Sequence, residues 1–207
     1  MRVVFAGVYL GGRTAASRWL LRTALGLALP HYRGKLRIAH LMSRAGADPV
    51  VFGLPNYYQN DEIVRDDILA GGYPLPVHDK GVNRIDLRDA AEIVARALTE
   101  PAFPSGGHVL SGPASISGAG AARVWSDALG RPVRYDGTGD WRAVLTRRLD
   151  GQKRDDFLHT YALLAKRGMA TSARSVAATT ALLGRPSRSY ESYVRDTADL
   201  WQAAPRA

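Results

Sequence analysis

The sequence predicts an α/β fold, a partial, doubly wound parallel sheet with a smaller, mainly helical C-terminal lobe. Three observations lead there. Short apolar runs ending in glycine, RVVFAGV at residues 2–8 and PVVF at 49–52, have the pattern of strands buried on both faces of a parallel sheet. Helical patterns bounded by caps and glycines separate the runs, and helical periodicity fills most of the chain after residue 113.

The elements follow in order. Arg2 to Val8 reads as a strand, and Thr14 to Leu29 as a partly buried helix. A second helix opens after Pro30, whose ring supplies a helix-compatible φ, and closes at Gly46. Its residues Ile38, Leu41, Met42 and Ala45 fall at i, i+3, i+4 and i+7, which predicts the face turned to the sheet; carried backwards, that stripe reaches His31 and Lys35. Pro49 to Phe52 is the next strand and completes a βαβ crossover. Its carboxyl end leads into LPNYYQND.

Asp61 to Ala70 predicts a helix stopped by Gly71 and Gly72, and YPLPV then leaves the sheet as an extended, proline-marked segment. In NRIDLRDAAEIVARALTEP, Asp86 stands at an N-cap and Asp89 at the capping-box position. Ala90, Ile93, Val94, Ala97 and Leu98 are periodic behind them. GHVLSGP predicts another buried strand, SISGAGAARVWSDALG a capped helix ending at Gly130, and RPVRY a short strand. Three further helices are expected, the last holding Tyr193, Leu200 and Trp201. No repeat or linker divides the chain. Residues 1–112 are expected to form the sheet domain and 113–207 the lobe packed on it.

Composition excludes several functions. There is no cysteine, so disulfides and thiolate metal sites are ruled out. The five histidines lack carboxylates at ligand spacing, and no metal is expected. The net charge is +9, with eight Lys or Arg and no acid before Asp48. Those cations are scattered at helical spacings without aromatic stacking platforms, so no nucleic acid is expected. The apolar stretch from Trp19 to Leu29 carries Arg22 and is too short to span a bilayer, so no membrane partner is expected and a cytoplasmic location is the default.

RVVFAGVYL, PHYRGKLRIAHLMSRAGADPVVF, NYYQND, RIDLRDAAEIVARALTEP, HVLSGPASIS, DALGRPVRY and LLGRPSRSYESYVRD together resemble, in order and spacing, the NmrA-like branch of the atypical short-chain dehydrogenases. The resemblance spans nearly the whole chain and implies a Rossmann-like NAD(P)-binding fold. It also implies that residue 1 corresponds to about the fifth strand of the family's sheet. About 90 to 100 residues of the family pattern, at roughly 25 to 30 per βα unit, would then precede it, including the glycine-rich turn that holds the dinucleotide phosphates.

The resemblance carries a site with it. The catalytic Tyr and Lys of the parent superfamily, four residues apart, correspond here to His31 and Lys35, with Tyr32 one residue, or about 100° of helix, out of register. Gly7 stands where catalytic members place a substrate-polarising Ser. Gly7, Val8, Lys35, Asn56 and Tyr57 are implied as cofactor-binding, and Tyr58 and Asn60 as substrate-binding, because ligands bind at the carboxyl ends of strands in open α/β sheets. Gly53 and Leu54 replace the family's usual Arg-Pro pair.

Each assignment has a plainer alternative. His31 and Lys35 also fit a helix-start His and a snorkelling Lys, the tyrosines fit packing between sheet and lobe, and Asp86 with Asp89 fit helix capping rather than acid-base work. The function implied is an NAD(P)-dependent oxidoreductase acting on a small carbonyl or quinone-type substrate, with NADP preferred over NAD because the chain is basic. The alternatives are a non-catalytic nucleotide-sensing or protein-interaction module, and a truncated remnant without cofactor binding. An uncovered sheet edge would invite self-association.

Overall fold

The computed structural model describes residues 2–7, 19–20, 23–24, 26–27, 29, 32–42 and 48–203. It has the α/β architecture the sequence predicts, with parallel strand pairs and a strongly helical second half. The chain divides into two compact units. One comprises Met1–Pro55, Leu87–Ser111 and Ser172–Ser187, the other Asn56–Asp86, Gly112–Thr171 and Arg188–Ala207.

The first unit is built on β1 (Arg2–Gly7), β2 (Asp48–Gly53) and β6 (Gly106–Val109), all parallel, in the order β1-β2-β6. Among the described strands of this sheet only β2 is interior, and only β2 is deeply buried, through Val50, Val51 and Phe52. The strands expected to be buried on both faces at RVVFAGV and GHVLSGP are instead half-buried edges, because a three-stranded sheet has a single central strand. Arg2 anchors β1. Its guanidinium binds the Asp48 carboxylate at 2.7 Å and donates to the carbonyls of Glu100 and Phe103 at 2.7 and 3.1 Å. The Ser105 hydroxyl, and after it Arg2, hold the Asp48 carboxyl below its ordinary pKa.

Helix α1 (Tyr32–Met42) lies beside β1. Its buried residue is Leu36, with Tyr32, Ala39 and Met42 half-buried. The expected sheet-facing stripe is therefore corrected: Ile38 and Leu41 are 46% and 57% exposed, and Ala45 lies outside the described residues. Apolar residues occur on two faces of this helix, and their spacing alone does not select which face is covered. Helix α3 (Leu87–Thr99) buries Ala90, Ile93 and Ala97 as expected, but Leu98 is 61% exposed.

The second unit carries β3 (Asn56–Tyr57), parallel to β5 (Val82–Ile85), which pairs antiparallel with β7 (Ser115–Ile116), and a separate parallel pair, β4 (Gly72–Tyr73) with β8 (Arg134–Tyr135). The helix expected from Asp61 is a 3-10 turn, Tyr58–Val64, followed by the short α2 (Arg65–Leu69) and Gly71 at φ 95°. Helix α4 (Gly118–Leu129) begins where Ser117 accepts from the Gly120 amide and ends at Gly130 with φ 65°, as its sequence predicts.

Four helices follow rather than three: α5 (Trp141–Arg148), α6 (Gly151–Lys166), α7 (Ala173–Leu183) and α8 (Tyr190–Ala203). Of these α7 belongs to the first unit and the others to the second. The second unit's core gathers Tyr58, Ile68, Tyr73, Trp125, Tyr190 and Tyr193, and Trp125 stacks on Trp201 with ring centroids 4.6 Å apart. No described helix is long and apolar enough to cross a membrane.

Candidate functional site

The segment Asn56–Asp61 runs from β3 into the 3-10 turn, and its backbone is held by one buried cation. Arg84 sits on β5 opposite Asn56 and is 2% exposed. One of its terminal nitrogens donates to the carbonyls of Tyr57 and Tyr58, at 2.7 and 3.1 Å, and to Asp61 Oδ1 at 2.7 Å. The Asp61 carboxylate also accepts from Tyr73 at 2.9 Å, from the Trp125 indole at 3.1 Å and from the Tyr190 hydroxyl. A fully buried ion pair is tolerated only when its remaining lone pairs and protons are satisfied, and here they are. Burial opposes the Arg84 charge, but Asp61, followed by the surrounding phenols, outweighs it and the guanidinium pKa stays above its ordinary value. Burial, followed by the Asp61 charge, pushes the Tyr73 and Tyr190 phenols well up. This network fixes the chain; its charges and hydroxyls are spent on one another.

Beside it lies a second polar cluster. Tyr161 of α6 is 1% exposed. The carboxamides of Asn56 and Asn60 face its hydroxyl. Burial pushes the phenol up to about 12, with Arg84 and the two carboxamides pulling the other way. At neutral pH Tyr161 is therefore a hydrogen-bond donor and not a base. Asn56, Tyr57 and Asn60 are half-buried, so the segment reaches the surface.

Of the four residues expected at this strand end, Asn56, Tyr57 and Asn60 are half-buried. Tyr58 is the exception: it is fully buried, its ring lies 5.2 Å from that of Tyr190 and 5.6 Å from that of Tyr193, and it works as a packing residue. In the first unit, Gly7 ends β1 opposite Gly53, and its carbonyl accepts from the Leu54 amide at 3.0 Å. A Cβ added there would lie 2.8 Å from the Phe5 ring, so a serine would need that ring to move. Lys35 is exposed, with its ammonium 5.3 Å from the centroid of the Tyr32 ring. The expectation that Tyr32 points away from Lys35 is corrected, since residues three apart on a helix are neighbours. His31 and Val8 lie outside the described residues.

Asp86 and Asp89 are both buried. Asp86 accepts from the Gln59 amide at 3.0 Å and Asp89 pairs with Arg185 at 2.8 Å, and their placement is structural. Sequence reasoning did not find Asp61, Arg84 or Tyr161. Arg84 had one signal, a charge inside the apolar run VNRI; Tyr161 had none, because Phe157, Tyr161 and Leu164 read as an ordinary apolar helix face.

A nicotinamide dinucleotide makes its strictest demand on a fold through its phosphates. Its pyrophosphate requires backbone amides at an open, glycine-rich helix start. The described helix that opens on Gly-Ala-Gly is α4, and a Cβ at Gly118 would stand 2.1 Å from the Tyr135 ring, so that glycine admits a packed tyrosine and not a phosphate. Helix α3 starts between the buried carboxylates of Asp86 and Asp89, which repel phosphate. Among the described residues the phosphates have no cradle.

No family model matches the chain. Over 65 residues it is 40% identical to the NAD(P)H azoreductase of Xenophilus azovorans, a stretch covering 31% of this chain and 23% of that protein. Among solved structures, an NADPH-dependent quinone oxidoreductase from Escherichia coli superposes with a TM-score of 0.72 at 16% identity, over 95% of this chain and 67% of that one. A nucleoside-diphosphate-sugar epimerase from Staphylococcus aureus superposes with a TM-score of 0.68 at 16% identity, over 94% of this chain and 64% of that one. The chain thus spans less than a quarter of the curated relative and under two thirds of the epimerase. At this identity the likeness shows a shared fold, the Rossmann-like α/β fold that the sequence predicts.

Proposed function

We propose that this chain acts in NAD(P)-dependent oxidoreduction of the NmrA-like kind on a small carbonyl or quinone-type substrate, and that it supplies the substrate side of the site. The observation that carries this reading is the Asn56–Asn60 segment. It sits at a strand's carboxyl end, its backbone is clamped by Arg84, and its carboxamides lie beside the Tyr161 hydroxyl. Two likenesses support the chemistry, one to an NAD(P)H azoreductase and one to an NADPH-dependent quinone oxidoreductase.

In this reading Lys35, with His31, would hold the nicotinamide ribose, and Gly7, Val8, Asn56 and Tyr57 would line the nicotinamide. The bound nucleotide would supply the reducing equivalents. Asn60 would meet the substrate in place of the enclosed Tyr58. A second reading, a non-catalytic interaction module, is favoured by the closed Gly118 helix start and the acidic start of α3.

Titration of the purified protein with NADPH and NADH, followed by nucleotide fluorescence and thermal unfolding together, separates the two. Binding to the folded state must raise the melting temperature, by about 2.7 kcal/mol of added stability at one hundred times Kd. The oxidoreductase reading expects a cooperative transition that rises with nucleotide. A folded protein whose transition ignores both nucleotides would sink it.

A further inference from the structure

Helix α6 carries two distinct faces. Tyr161 and Leu164 turn into the core of the second unit. Asp155, Leu158, His159 and Ala162 recur at i, i+3, i+4 and i+7 and so share another face. Together with Arg142 of α5 they line a cavity of about 360 Å³. That volume falls in the lower part of the range of small-molecule sites, which are mostly apolar with a few polar groups at chosen points. Leu158 and Ala162 are half-buried and form the apolar wall, while Arg142, Asp155 and His159 are exposed and form the rim. Both helices belong to the second unit, and none of these five residues takes part in the Asn56–Asn60 segment or its clamp.

Most of the polar groups around this cavity are already committed. The Asp155 carboxylate pairs with Arg154 at 3.1 Å, and Asp140, two residues before Arg142, accepts from the Ala143 amide and caps α5. His159 Nδ1 lies 2.8 Å from the Asp155 carbonyl oxygen, which can only accept, so that nitrogen donates within its own helix. Arg142 differs. It makes no hydrogen bond or ion pair among the described residues, and its guanidinium lies 4.4 Å from the centroid of the Trp141 ring. An aromatic face restrains a stacked guanidinium and leaves the N–H groups, which project in its plane, open to an acceptor.

The charge that remains selects the class of ligand. A guanidinium held in this way has less freedom to lose on binding, and its planar fork matches the two oxygens of a carboxylate. One uncommitted positive charge beside an apolar wall fits a monoanion with an apolar body. A second negative charge on the ligand would meet Asp155, and a neutral ligand would leave the guanidinium unused.

We infer that the cavity between α5 and α6 binds a small apolar carboxylate, its carboxylate on Arg142 and its body against Leu158 and Ala162. Charge complementarity and cavity chemistry carry this inference, and it stands whether or not the chain binds a nicotinamide nucleotide.

The test uses the full chain and isothermal titration calorimetry, with 2-naphthoate as the probe and 2-naphthamide as the same ring system without the charge. Thermal unfolding checks each variant. The carboxylate should bind at one site, about tenfold or more tighter than the amide, the worth of a charge-assisted hydrogen bond. Arg142→Gln removes an exposed side chain without partners, so its melting temperature should match that of the natural protein, and its affinity for 2-naphthoate should fall to that for 2-naphthamide. Arg147→Gln, exposed on the same helix but outside the cavity, should bind as the natural protein does. Ala162→Phe fills the cavity and should abolish binding of both compounds.

Absence of saturable binding, or equal affinity for the carboxylate and the amide, would overturn the inference. So would equal losses in Arg142→Gln and Arg147→Gln, which would mean that the basic surface as a whole attracts the anion. Undiminished binding by a folded Ala162→Phe would place the ligand elsewhere and overturn it as well.

Discussion

Asp61 illustrates how little a residue's neighbours in sequence say about its work. In YYQNDEIV it reads as an acidic residue at the edge of a helix, and in the fold it is the acceptor around which a cation, two phenols and an indole are arranged. Removing one partner of such a pair leaves an uncompensated buried charge. Asp61→Ala should therefore lose about 3–5 kcal/mol in a denaturant titration. Adding Arg84→Met should recover part of that loss, because the orphaned charge leaves with it. A double variant as unstable as the sum of the singles would mean that the two side chains are not coupled. At this scale Asn56, Tyr57 and Asn60 were legible as candidates from their place after a strand, whereas Tyr161 lies about a hundred residues away in the chain and meets them only in space.

At the scale of elements, local signals succeeded where local chemistry decides the outcome. Ser117 and Gly130 bound α4 as expected, because an N-cap oxygen and a left-handed glycine act within one turn of helix. They failed where the outcome depends on what covers a surface. The periodicity of α1 named Ile38 and Leu41 as the buried face, and the fold covers Leu36 instead. Gly112 shows a constraint of the same non-local kind. It reads as part of the buried strand GHVLSGP, yet a Cβ there would fall 1.8 Å from the carbonyl oxygen of Arg84 on β5, and its amide donates to the Asn83 side chain at 3.1 Å. A backbone atom cannot yield as the end of a flexible side chain can. Gly112→Ala should cost about 3 kcal/mol, at the upper end of overpacking penalties, read as a fall in the unfolding midpoint. A change within about 0.5 kcal/mol, typical of open surface positions, would show that β5 is free to move away.

Considered whole, the molecule stakes much of its second unit on neutral buried phenols. The pKa values of Tyr73, Tyr190 and Tyr193 are raised, and that of Tyr161 is pushed up to about 12, in each case chiefly by burial. The folded state therefore keeps protons that the unfolded chain releases near pH 10. The stability these groups contribute is intact below pH 10 and falls as pH rises toward 12, by roughly 1.4 kcal/mol per pH unit for each group. Cooperative unfolding between about pH 10 and 12 is expected, with ionisation of these four tyrosines, seen as phenolate absorbance, coinciding with loss of helical circular dichroism. Their ionisation in a still-folded protein would contradict the burial that defines the core.

By itself the sequence determined the fold class, the position of β2 and the limits of α4. Each of these follows from apolar runs, caps and glycines that act over a few residues. Only the tertiary structure decided that β1 and β6 are edges, that Tyr58 is enclosed, that two units interleave along the chain, and that Arg84, Asp61 and Tyr161 stand beside Asn56 and Asn60. The physical reason is the same in every case. Burial and the pairing of distant polar groups are properties of the surfaces an element meets, and a residue's local pattern records that it can be buried or paired but not by what.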